Sequence, residues 1–325
     1  TRLVSDWSSD VCSSDLLDEG LPLIQAVLNE AYLAEYGLEP EEQSCLNLLL
    51  FIKLSQRSKF QPFGVFSDER YHVREGNDGI AQGLASRLPG PIELGSTVKS
   101  IGRLASGELE IEFWNRGPVH ADHVICTLPF TVLRNDLLRA NLDLPAAQRT
   151  AVNELGYGAN AKTMVSISGR TWQAAGSNGT AYSDLDSLQT CWETNPANAG
   201  AAAILTDYAS GNRGAFLESQ SVPDQVESWL ADVDQVFPGT SAAAVRDSSG
   251  PRAVRRVWTS DPLALGSYTC YLPGQFTQVA GWESVANQNL HFAGEHADSF
   301  YSWQGFMEGA CLSGIRAANE VLQDL

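Results

Sequence analysis

A glutamate, several aromatic rings and a helix start share one short stretch near the C-terminal end of this 325-residue chain. An apolar, strand-like run through Leu290, Phe292 and Ala293 leads into Gly294 and Glu295, and then into a loop carrying Trp303 and Phe306. From Met307 the apolar or small residues fall at positions 307, 310, 311, 314, 317, 318, 321 and 322, the spacing of one helix face. Gly309, Ala310, Gly314, Ala317 and Ala318 leave that face little bulk, so it can pack closely. A helix start presents N–H groups and a partial positive charge, which suits an anionic partner. Acid, rings and helix start together read as one wall of a cofactor site.

Two residues elsewhere invite the same attention. Lys162 lies within Asn160-Ala161-Lys162-Thr163-Met164-Val165, a charge inside an otherwise uncharged strand-like run. Buried lysines are rare and need a partner or a role. Tyr268, in Leu265-Gly266-Ser267-Tyr268-Thr269, sits in a loop rich in glycine and aromatics.

Metal chemistry finds no support in these spacings. The six cysteines, at 12, 45, 126, 191, 270 and 311, form no CxxC pair. His120 and His123, at i and i+3 in a strand-like run, point to opposite faces. No metal site is expected, and redox chemistry would need an organic cofactor.

With these motifs in place, the chain resembles the flavin-dependent amine oxidases, the group of monoamine, polyamine and L-amino-acid oxidases. The resemblance runs over about Ala31–Leu325 and is best at Tyr71–Leu133, Tyr157–Asp184 and Trp258–Leu325. It implies noncovalent FAD as cofactor and an amine and O2 as substrates. Gly294 and Glu295 would approach the ribityl-pyrophosphate region of FAD, and the backbone of Val98 its adenine. Thr127-Leu128-Pro129 would end the strand beneath the dinucleotide. The N–H of Met307, where Phe306 opens the helix, would donate to the flavin O2. Lys162 would hold a water against flavin N5. Tyr268 would form one wall of an aromatic cage, with Trp303 and Phe306 opposite. Ser267 stands where monoamine oxidases bond the flavin to a cysteine, and Phe306 replaces their second cage tyrosine.

The resemblance further implies oxidative deamination of a primary amine to an aldehyde, ammonia and H2O2. One alternative is an L-amino-acid oxidase, which needs a cation for the substrate carboxylate; Arg57, Arg70 and Arg74 are the candidates. Another is a fragment unable to hold FAD, which would purify colourless. That alternative arises because Asp6–Leu16 resembles one reading frame of a sequencing adapter, so residues 1–16 are read as non-native. The strand, G-x-G-x-x-G turn and helix that hold the ADP half of FAD in the family have no counterpart here, and an N-terminal truncation is expected. Gly156 and Gly158 imitate the motif, but they precede a strand-like run instead of following one.

The elements that must position these residues follow from patterning. Leu21–Leu54 reads as two helices broken near Pro40, and an amphipathic helix carries Ile80, Leu84 and Leu88. Strands are predicted at Ile92–Leu94, Thr97–Ile101, Leu109–Phe113, His123–Cys126, Lys162–Ser168 and Ala202–Asp207, with Leu109–Phe113 read as half-buried and Val124–Cys126 as more fully buried. A helix is predicted over Val222–Phe237, and Trp258–Tyr271 as loop. The family resemblance implies a fold class of α/β (α+β) with two interleaved domains. Residues 17–70 and 151–257 would form a substrate domain. Residues 71–150 and 258–325 would form a Rossmann-like FAD domain lacking its N-terminal βαβ unit. A net charge of −18 argues against nucleic acid as partner. The longest apolar run, Leu46–Ile52, is too short to span a bilayer, so no membrane anchor is expected. A homodimer is compatible with this reading, and localisation stays open.

Overall fold

The computed structural model describes residues 22–52, 73–74, 76–134, 142–298 and 303–325. Arg57 and Arg70 and residues 1–16 lie outside them. Strands β1 (Val98–Arg103), β2 (Leu109–Phe113) and β3 (Val119–Ala121) form a three-stranded antiparallel sheet. Strand β4 (Val124–Cys126) follows, and Pro129 then opens a helical turn at Phe130–Leu133. Strands β5 (Ala161–Ile167), β6 (Ala181–Tyr182), β7 (Thr190–Glu193) and β8 (Ala203–Ala209) precede the short pair β9 (Arg246–Asp247) and β10 (Gly250–Pro251). Strands β11 (Ala253–Val257) and β12 (Leu290–Phe292) complete the set. The largest sheet is antiparallel throughout, in the order β11-β5-β8-β7-β6. Among the described residues, the expected Rossmann-like sheet is represented by one parallel pair, β12 with β4.

The helix Val222–Val236 shows why the sequence folds as it does. Ser221 caps its start, accepting from the Asp224 N–H at 3.2 Å, and Pro223 occupies the first turn. Val226, Trp229, Leu230 and Val233 fall at i, i+3, i+4 and i+7 and are fully buried. They pack on Val165, Ile167 and Leu205 of the five-stranded sheet. A second core joins Ile101, Leu109, Phe130, Leu155, Leu290 and Phe292 beneath the smaller sheets. Cys126 belongs to that core and Cys191 to the one under the helix, both as buried thiols. No helix among the described residues is long and apolar enough to cross a membrane.

Three expectations need correction. Ile92–Leu94 forms no strand: the Leu94 N–H turns back onto the Ile92 carbonyl at 3.0 Å, and Leu94 is 86% exposed. Pro91 and Gly95 flank the turn, the latter at φ +68°. Strand β4 is not more buried than β2: with one parallel partner among the described residues it leaves Ile125 40% exposed, whereas β2 has no exposed residue. The helix at Asp78–Ala85 forms as predicted, but Ile80, Leu84 and Leu88 are 41%, 57% and 55% exposed. Its apolar face joins none of the cores formed by the described residues.

Candidate active site

The strand β5 alternates strictly, with Ala161, Thr163, Val165 and Ile167 buried and Lys162, Met164 and Ser166 partly so. This period of two places Lys162 on the face opposite the Val222–Val236 helix. In register, Lys162 stands across from Tyr208 of β8, whose other neighbour is Thr190 of β7. Trp192, two residues beyond Thr190, points to the same face. The Lys162 ammonium thus lies 5.7 Å from the Trp192 ring centroid and 5.3 Å from that of Tyr208. The two rings meet edge to face at 5.2 Å. A cation between aromatic faces is held by their quadrupoles, and a lysine offers only donors.

Tyr268 joins this box directly, its hydroxyl 2.9 Å from that of Tyr208. It also donates to the Ala34 carbonyl at 3.2 Å, at the end of the Pro22–Tyr36 helix. Burial, then the neighbouring Tyr208, pushes its phenol well above the usual tyrosine range, so the hydroxyl stays protonated. The loop bearing Tyr268 is fixed by backbone pairing with residues 156–160: Gly158 N–H to the Tyr268 carbonyl at 2.8 Å, and Ser267 N–H to the Gly158 carbonyl at 2.9 Å. Here lies the reason for the motif-like glycines. A Cβ on Gly156 would stand 2.1 Å from the Cys270 carbonyl oxygen, and one on Gly158 2.4 Å from that of Tyr36. They permit close backbone approach and lead into β5, as the sequence indicated. The Ser267 hydroxyl bonds the Asn160 side chain.

Glu295 ties this loop to the final helix. One carboxylate oxygen accepts from the Thr269 N–H at 3.2 Å and its hydroxyl at 3.1 Å, and the other accepts from the Gly305 N–H at 2.7 Å. Burial raises its pKa, and these hydrogen bonds pull the other way. Gly294, at φ +129°, is clamped by Ser313 of the helix, which exchanges hydrogen bonds with its N–H and carbonyl at 3.0 and 2.8 Å. A Cβ on Gly305 would lie 3.6 Å from the Tyr268 ring, so the loop after Glu295 folds against that ring. Trp303 and Phe306 face each other edge to face at 5.9 Å. Phe306 precedes the helix Met307–Asp324, whose start has no side-chain cap and whose first residue is 52% exposed.

The structure therefore brings Lys162, Tyr268, Gly294, Glu295 and the Trp303–Met307 turn into one connected unit. Val98, at the start of β1, packs instead against the core beneath the smaller sheets. Arg74 is exposed. Trp192, Tyr208, Asn160 and Thr269 escaped the sequence reading. Their signal existed only as strand alternation in 190–193 and 203–209, and it becomes legible once the pairing β5-β8-β7 is known.

Comparison with known proteins decides what this unit belongs to. The model of the flavin-containing amine oxidoreductase family matches residues 6–322, a span that takes in the whole Asp6–Leu16 stretch. The chain belongs to this family of oxidoreductases. Among its relatives, a putative L-amino-acid oxidase of Bacillus subtilis (strain 168), YobN, is 28% identical over 203 residues, covering 62% of this chain and 41% of its own. Polyamine oxidase 4 of Oryza sativa subsp. japonica is also 28% identical, over 265 residues, covering 78% of this chain and 50% of its own. The chain thus spans about half the length of these relatives. In fold, the chain superposes on the cyclohexylamine oxidase of Brevibacterium oxydans IH-35A with a TM-score of 0.76 at 16% identity, covering 97% of this chain and 68% of the other. A wild-type putrescine oxidase bound to putrescine gives 0.79 at 16% identity, with the same coverage.

Proposed function

We propose that the protein oxidises a primary amine to an aldehyde, ammonia and H2O2, consuming O2 and water. The observation that carries this reading is the Lys162 ammonium held between Trp192 and Tyr208, with Tyr208 bonded to Tyr268. When bound, FAD would supply the two-electron acceptor for this chemistry, with O2 as the final oxidant. The residues present fit such a group. The uncapped start of the Met307–Asp324 helix offers first-turn N–H groups to a developing negative charge. Gly294 and Glu295 hold the strand end and the loop on either side of that start, and the backbone of Val98, whose side chain packs on the core, would meet the adenine end of the cofactor. The Ser267 hydroxyl is engaged by Asn160 and offers no thiol for a covalent link, so FAD is held noncovalently.

The chain's own groups then divide the work. The Tyr268 ring, with Trp303 and Phe306, confines the amine and limits its orientations. Lys162, its position set by two rings, donates to a water that serves proton transfer during O2 reduction or imine hydrolysis. The two cores support a division into two domains. One draws on residues 98–157 and 271–297, which takes in Ala151, Val152, Leu155 and Tyr157 of the expected substrate domain, and the other on 165–253.

The test is anaerobic reduction of the FAD-loaded protein, followed by flavin absorbance, with paired amines and their α-carboxylated counterparts. Bleaching by primary amines is expected. Faster bleaching by the carboxylated partners would replace this reading with an L-amino-acid oxidase. No bleaching by any member of either panel would overturn both.

A further inference from the structure

His123 and His291 stand 168 positions apart in sequence, yet the parallel pair of β4 and β12 sets their rings side by side. His291 is 1% exposed. Its Nδ1 lies 3.0 Å from a carboxylate oxygen of Glu320 on the final helix. That contact makes Nδ1 the N–H and leaves Nε2 with its lone pair, the tautomer that carboxylate partners impose on metal-binding histidines. The Nε2 lies 3.4 Å from Nδ1 of His123, and the rings lie 28° from parallel. Asp324, one helical turn beyond Glu320, completes the group. One nitrogen from each ring and one Asp324 oxygen lie within 4.8 Å of one another.

A separation of 3.4 Å is long for a direct hydrogen bond between the rings. It matches two ligands of a single ion, since two nitrogens bound at about 2.0–2.1 Å with a tetrahedral angle stand roughly 3.4 Å apart. We propose that His123, His291 and Asp324 bind a borderline divalent cation of the Zn2+ type, with Glu320 as a positioning residue for His291. Two imidazoles and one carboxylate suit Zn2+, Co2+ or Ni2+ better than the oxygen-seeking Mg2+ or Ca2+. Three protein ligands leave the fourth position to water. At 1.5 Å per residue, Asp324 lies roughly 25 Å along the helix from Met307, so the cation stands apart from the proposed cofactor site. Its effect is mechanical: it ties the last turn of the helix to the edge where β4 meets β12.

His120 and His123 do not share one strand: the run breaks at Asp122 and His123 between β3 and β4, which lie in different sheets, and His120 turns to Glu110 at 2.9 Å. His123 finds its partner in a distant strand, which spacing along the chain cannot show.

The experiment is calorimetric titration of ZnCl2 into the chelator-treated full chain, repeated with His123→Ala, Asp324→Asn and Glu320→Gln. The wild-type protein takes up one equivalent, and Co2+ in its place gives the intense visible bands of a low-coordinate ion. H123A and D324N lower affinity by more than about tenfold, and E320Q by about tenfold with stoichiometry kept. At free Zn2+ near a hundred times Kd, the wild-type melting temperature rises by roughly 4 °C, and that of the H123A and D324N proteins does not. Asp324 is exposed, so D324N tests the site even where H123A folds poorly. Absence of a 1:1 complex in the wild type, or wild-type affinity in D324N, overturns the proposal.

Discussion

The two faces of the five-stranded sheet come from the same strands and the same alternation, yet they do opposite things. On one face, Val165, Ile167 and Leu205 meet the Val222–Val236 helix and exclude water. On the other, Lys162, Tyr208 and Trp192 gather a cation and two rings beside Tyr268. A period of two lets one strand serve both, because each step along β5 changes face. The covered face fixes the register, and the register then aligns Lys162 with Tyr208 across the sheet. The dry side therefore sets the geometry of the polar side, and damage to each should show in different measurements.

Trp229→Ala should separate them most sharply. Trp229 is fully buried in the covered face, and its truncation should lower unfolding free energy by about 4 kcal/mol in a denaturant titration. If stability hardly changes, the helix does not hold the sheet as described.

Asp207 gives the covered face a pH signature. It points under the helix, where Gln225 donates to one oxygen at 2.9 Å and the other oxygen has no partner among the described residues. Burial pushes its carboxyl up to about 8 from 3.8, with Arg213 and Gln225 opposing. An acid whose folded pKa is raised contributes stability that is present below pH 4 and lost as pH climbs through 8. In that window the unfolded chain has released the proton and the folded one has not, so each pH unit costs about 1.4 kcal/mol. Asp207→Asn should flatten this slope between pH 5 and pH 8, as read from melting temperatures against pH. An unchanged slope would assign it to another group.

Legibility follows the same division. The Val222–Val236 helix was readable because its cap at Ser221 and its apolar spacing are local. Lys162 was readable because a charge in an alternating strand violates the pattern. Trp192 and Tyr208 were not, since nothing in 190–193 or 203–209 says which strands pair. Glu295 was found from its motif, but two of its three hydrogen bonds, both from Thr269, depend on a loop over twenty residues away. Ile92–Leu94 failed because its apolar residues alternate like a strand while flanking proline and glycine bend the chain.

On the polar face, Lys162→Met keeps the length of the side chain and removes the ammonium from between the rings. Amine-dependent H2O2 production by the FAD-loaded protein should fall about 100-fold. The melting temperature should move little, since the site contributes no part of the helix-covered core. A loss of stability matching that of W229A would mean that the two faces are not separable.

The smallest effect concerns the hydroxyl pair. Tyr268 donates its one proton to the Ala34 carbonyl, so Tyr208 must donate in the 2.9 Å contact between them. Tyr208→Phe removes that donor and leaves Tyr268 bound to Ala34, for a cost of about 1 kcal/mol. Tyr268→Phe leaves the Tyr208 hydroxyl without its acceptor and the Ala34 carbonyl without its donor, and should cost more. A double-mutant cycle should return a coupling of about 1 kcal/mol if the two hydroxyls hold the lysine box and the cage together. A coupling near zero would mean that the box around Lys162 and the wall at Tyr268 are set independently, by the sheet and by the 156–160 pairing respectively.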